Sequence, residues 1–121
     1  MSRLVWIGAA GAAGALARYV VGVALGIRSF PWATLGINVL GSFLLGAVLT
    51  LGALRGWSDH VTLPLGAGFL GSFTTFSTFS YETQLLLRTD RPGAAAIYVV
   101  TSLIGGVIAA FGGYGVARLL A

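Results

Sequence analysis

The chain has 121 residues, 57% of them hydrophobic and only 8% charged. So little polar surface excludes a soluble globular domain and leaves one integral membrane domain spanning residues 1–121. Its seven basic residues are all arginine, scattered along the chain against three acids, which excludes a nucleic-acid-binding face, and the absence of cysteine excludes disulfides and thiolate chemistry.

Charges and prolines divide the sequence into four apolar runs, at 4–27, 32–54, 61–87 and 93–120. Each exceeds the roughly 20 residues that a helix needs to cross a bilayer, so an all-α protein of four transmembrane helices is expected. The first run, Arg3 followed by apolar residues and an Ala15-Leu16-Ala17 triplet, has the outline of a signal peptide. Because the apolar pattern resumes past Arg18, it is expected to remain as the first span. Short connections leave no room for a soluble lid, and Pro31 and Pro92 suit the first turns of the helices that follow them.

Four crossings place Arg3, Arg55 and Arg118 on one side and Arg28, Arg88 and Arg91 on the other. The positive-inside rule is then nearly tied. Charge alone leaves two readings open: insertion in both orientations, or a single orientation set by Arg18. Small residues four apart, at Gly8/Ala12, Gly11/Ala15, Gly22/Gly26 and Gly105/Ala109/Gly113, are expected to let helices approach closely. Trp6, Trp32 and Trp57 fall near span ends as interfacial anchors.

In the second run Thr34, Asn38, Ser42, Gly46 and Thr50 recur every four residues and wind up one side of the helix. Asn38 is the costly member, since its amide must be satisfied inside hydrocarbon. The residues alone allow it to be interhelical glue or a donor to a passing solute. Tyr98 and Ser102, one turn apart in the fourth run, can present two hydroxyls to a common groove. Glu82 is expected to pair with an arginine near the end of the third span.

The stretch Gly71-Ser72-Phe73-Thr74-Thr75-Phe76-Ser77-Thr78-Phe79-Ser80-Tyr81 does not read as a lipid-facing helix. Glycine and hydroxyl side chains compete with helical hydrogen bonding, so a broken third helix is expected here. Irregular backbone at membrane depth survives only where protein or a wet cavity covers it. Amide, hydroxyls and the Arg18 guanidinium make the intramembrane polar set rich in donors, and Phe76 and Phe79 add positive ring edges. Donors face anions.

The motifs Gly-Ser-Phe-Thr-Thr-Phe-Ser-Thr-Phe at 71–79, Gly-Ile-Asn-Val-Leu-Gly at 36–41 and Gly-Ala-Leu-Ala-Arg-Tyr at 14–19 resemble the Fluc (CrcB) fluoride channel family. The resemblance covers all four spans. It implies an antiparallel, dual-topology homodimer in the inner (plasma) membrane, with two pores that export cytoplasmic fluoride by passive electrodiffusion. It also implies a fluoride pathway along Asn38, Phe76, Phe79, Ser77, Thr78, Tyr98 and Ser102, with Arg18 toward a vestibule. A structural sodium ion at the dimer centre is implied on the backbone carbonyls of Gly71 and Thr74. The choice of fluoride over other anions comes from the resemblance, whereas the residues alone stop at a donor-lined anion path.

Two other classes compete. A small multidrug-resistance-type cation/proton antiporter needs a membrane-embedded carboxylate, and the first two runs contain no Asp or Glu. A noncatalytic assembly subunit would use the glycines and hydroxyls only for packing. Enzyme activity is not expected, because no nucleophile–base pair or metal-ligand cluster is visible.

Overall fold

A computed structural model describes residues 2–121, and among these it is all helix, without strands. Helix α1 covers Arg3–Leu25 and α2 covers Trp32–Arg55. A short α3, Asp59–Leu63, runs into a π-helical segment, Pro64–Leu70, then α4, Gly71–Phe73. Helix α5, Phe76–Arg88, and α6, Pro92–Leu120, complete the chain. Three helices, α1, α2 and α6, are long and apolar enough to cross a membrane. At about 1.5 Å per residue they extend roughly 34–44 Å, enough for a hydrocarbon core of about 30 Å.

Pro92 is the first residue of α6, as its fixed φ and missing amide favour. Pro31 instead sits one place before α2, at the cap. Two reversals are built alike. At the end of α2, Gly56 turns left-handed (φ 66°) while its amide bonds to Ala53 and the Trp57 amide bonds to Gly52. At the end of α5, Asp90 takes the same left-handed place (φ 58°), with the Asp90 amide on Leu87 and the Arg91 amide on Leu86. Both are Schellman closures, which satisfy the last carbonyls of a helix that must stop abruptly.

Packing is set by a few glycines. Helix α2 lies mainly on α6, where a Cβ at Gly46 would overlap the Ala110 carbonyl and one at Gly113 would overlap that of Phe43. Helix α1 lies on the π-helical segment, where a Cβ at Gly14 would overlap the Phe69 carbonyl and one at Gly68 would come within 2.8 Å of the Ile7 carbonyl. The four-residue glycine spacing is a poorer guide than expected. Gly8 and Gly22 in α1, and Gly26 at its C-terminal cap, have nothing within 4 Å of an added Cβ, so these members of the pairs serve no close approach within the chain.

The third run is not one continuous α-helix. Its π-helical turns close i to i+5 bonds, as where the Gly71 amide reaches back to the Gly66 carbonyl. Beyond α4, Thr74 (φ −81°, ψ 158°) and Thr75 (φ −152°, ψ 115°) are extended before α5 begins.

Candidate functional site

The Thr74–Thr75 link lies against α2, and the backbone amide and carbonyl of Thr75 are both satisfied by a side chain, that of Asn38. The Thr75 hydroxyl accepts from the Thr78 amide at 3.2 Å and so caps α5, which has β-region φ/ψ before it as an N-cap requires. That hydroxyl also lies 3.1 Å from the Thr78 hydroxyl and 3.3 Å from that of Ser77. Thr74 donates its amide and its hydroxyl to the Leu70 carbonyl, at 3.1 and 3.0 Å.

Asn38 meets Thr75 at two points. Its Nδ2 donates to the Thr75 carbonyl at 3.0 Å, and its Oδ1 accepts from the Thr75 amide at 2.8 Å. An asparagine amide carries two N–H groups, so one donor remains beyond this contact. One turn along, the Ser42 hydroxyl donates to the Asn38 carbonyl at 2.7 Å. From the other side, Arg18 Nε donates to the Ser72 carbonyl at 3.1 Å.

A cleft of about 250 Å³ opens between α2, the link and α6, lined by Asn38, Gly41, Ser42, Leu45, Thr74, Thr75, Phe76, Phe79, Ser102 and Leu103. No carboxylate is in that lining. The Phe76 and Phe79 rings are 5.7 Å apart at 54°, and Phe79 meets Tyr98 edge-on at 5.1 Å. Phe79 is 8% exposed and Tyr98 fully buried, whereas Phe76 is 75% exposed. Both the Ser102 hydroxyl and the Tyr98 hydroxyl are buried without a hydrogen-bond partner. Buried hydroxyls almost always find partners, and of these two only Ser102 is on the cleft wall, as an open donor.

Asn38, Phe76, Phe79 and Ser102 therefore share one cleft, with Tyr98 behind Phe79. Thr78 and Arg18 face a second cleft, about 500 Å³, between α1, α2 and the start of α5. Ser77 is exposed at the start of α5, and Gly71 is exposed at the start of α4. Sequence reasoning passed over Thr75, although its place in the hydroxyl run was visible, and left Ser42 as a stripe member only. Glu82 requires a correction. It accepts a short hydrogen bond from the Thr34 hydroxyl of α2 and pairs with no arginine. The ion pair among the described residues is Arg3–Asp59, at 3.5 Å between exposed side chains.

Comparison with known proteins converges on one family. The family described as CrcB-like protein, Camphor Resistance (CrcB), matches residues 5–114. A Fluoride-specific ion channel FluC of Thermus thermophilus is 44% identical over 118 residues, covering 94% of both chains. Those of Prosthecochloris aestuarii and Geobacter sulfurreducens are 40% and 43% identical, covering 98% and 99% of this chain and 94% and 100% of theirs.

Proposed function

The chain belongs to the CrcB family, and from that premise we propose that it works as an antiparallel, dual-topology homodimer with two pores that release cytoplasmic fluoride across the inner membrane. It is a fluoride channel and not an enzyme, a reading that the relatives' names favour over a cation/proton antiporter or an assembly subunit. The chain is taken to span the membrane four times, with the third span broken at Thr74–Thr75.

The observation that carries the pathway is the cleft on Asn38 and Ser102, where amide and hydroxyl donors share a wall with the Phe76 and Phe79 rings and no acid is in the lining. Fluoride is small and tightly hydrated, so passage requires close donors that replace its water as it moves. The second N–H of Asn38, the Ser102 hydroxyl and the edges of Phe76 and Phe79 form one such set. Ser77 and Thr78 extend the hydroxyl track along the start of α5, and Tyr98 backs Phe79. Arg18, lining the second cleft, favours anion entry there. The exposure of Phe76, 75% although it lines the cleft, supports a pathway whose other wall comes from a second copy. A sodium ion at the dimer centre would be held by backbone carbonyls at Gly71 and Thr74, hard oxygens suited to such a cation.

Purified protein in liposomes is expected to release fluoride down its gradient, read by an ion-selective electrode, while retaining chloride. A trace without fluoride release rejects the function. Dual topology is expected to leave a terminal tag accessible from both faces of intact and lysed cells, and labelling from one face alone defeats it.

A further inference from the structure

We propose that Asn38 and Arg18 are positioning residues that keep the Thr74–Thr75 link extended by replacing two backbone hydrogen bonds, and that this replacement leaves the Gly71 carbonyl free for a hard monovalent cation. The cation half rests on the sodium reading above; the positioning half does not.

In a continuous helix the Thr75 amide would return to the Gly71 carbonyl, and the Phe76 amide to that of Ser72. One residue earlier this pattern holds, since the Thr74 amide bonds to Leu70 at 3.1 Å. It then stops. The Thr75 amide goes instead to Asn38 Oδ1 at 2.8 Å, and the Ser72 carbonyl takes Arg18 Nε at 3.1 Å. Two side chains, from α2 and α1, thus occupy the places that two helical bonds would have filled.

Asn38 also binds the Thr75 carbonyl, so it holds both polar groups of one residue as a neighbouring strand would. That two-point grip selects the extended conformation seen at Thr75, φ −152° and ψ 115°. Gly41, one turn after Asn38 on the same face, completes the cradle, because a Cβ there would overlap the Thr74 methyl. An unpaired backbone group inside a membrane is costly, so each diverted bond must be made good elsewhere. The Gly71 carbonyl is the acceptor whose helical partner has been taken. Arg18 brings its positive charge to the neighbouring Ser72 carbonyl, which disfavours a divalent ion beside it and favours a singly charged one.

Amide exchange of the full chain in nanodiscs tests the positioning role. In Asn38→Ala the Thr75 amide is expected to exchange about tenfold faster, the factor at the upper end for one lost hydrogen bond, while amides within α6 keep their rates. Asn38→Asp retains the acceptor and is expected to restore protection at Thr75, which a general loosening would not do. An unchanged Thr75 rate in Asn38→Ala, or fast exchange in Asn38→Asp, overturns the proposal. For the cation, the melting temperature is compared in sodium and in N-methyl-D-glucamine. The sodium-dependent shift of the native chain is expected to be lost in Asn38→Ala and in Arg18→Met, and its persistence in both overturns that half. Wild-type liposomes that fail to release fluoride would sink the channel function while leaving these exchange readings in force.

Discussion

Helix α2 meets both α6 and the Thr74–Thr75 link through glycine, and these two meetings have opposite character. Along α6, Gly46 and Gly113 bring backbone against backbone, and among the described residues the side-chain hydrogen bond recorded between the two helices is at their ends, from Arg55 Nη2 to the Leu120 carbonyl at 2.7 Å. Along the Thr74–Thr75 link, Gly41 admits a threonine methyl, and the adjoining turn supplies Asn38 as a partner for both Thr75 backbone groups. In the first contact glycine removes volume so that two regular helices fit. In the second it makes room for an irregular backbone whose lost bonds are restored by side chains. The seam thus holds the structure together, and the link gives it polar chemistry.

The comparison is broken most severely at the seam. A leucine at Gly113 would drive its Cβ into the Phe43 carbonyl and to within 2.7 Å of the Ala47 amide, and helical backbone cannot step aside as a side chain can. Overpacking typically costs about 1–3 kcal/mol even where side chains yield, so Gly113→Leu is expected to abolish the folded species. A monodisperse peak at the wild-type position on a sizing column would show that the close seam is dispensable.

Next come the rings beside the link, where stability and conduction should separate. Phe79 is buried against Tyr98 and Phe76 is mostly exposed. Phe79→Ile is therefore expected to lower both melting temperature and fluoride flux, and Phe76→Ile to lower flux alone. Edge interactions of about 0.5–1.5 kcal/mol place the loss of flux at up to about tenfold in each. Unchanged flux in both variants removes the ring edges from the pathway.

How far these contrasts could be read from the sequence depends on which forces set them. The bounds of α2 and α6 follow from local signals, with Pro31 and Pro92 ahead of long apolar runs and Gly56 closing α2. The i, i+4 recurrence of Thr34, Asn38 and Ser42 placed them on one face, and that face does meet α5 and the link. What no local signal carries is partnership across helices. Glu82 bonds Thr34 because α2 lies beside α5, whereas Arg88 is more than a turn and a half further along the same helix. The π-helical turns of Pro64–Leu70 are equally unmarked, since Gly66 and Gly68 read as ordinary small residues until α2 packs against the first and α1 against the second. Likewise, the four-apart spacing in α1 singled out Gly22, which has no close neighbour, and not Gly14, which is in tight contact.

The smallest expected effect distinguishes two hydroxyls on the same cleft. Ser42 donates to the Asn38 carbonyl one turn back, so Ser42→Ala gives up a hydrogen bond whose acceptor already has its place in the helix. Ser102 has no partner, and removal of a buried hydroxyl that bonds nothing relieves a desolvation penalty. Ser102→Ala is accordingly expected to leave the melting temperature unchanged or slightly raised, while fluoride flux falls severalfold, on the order of one hydrogen bond of about 0.5–1.5 kcal/mol. A hydroxyl that only packs would give the reverse, a lower melting temperature with flux intact. That result would turn Ser102 from a pathway donor into part of the seam and shift the boundary between the two regions from α6 to the link.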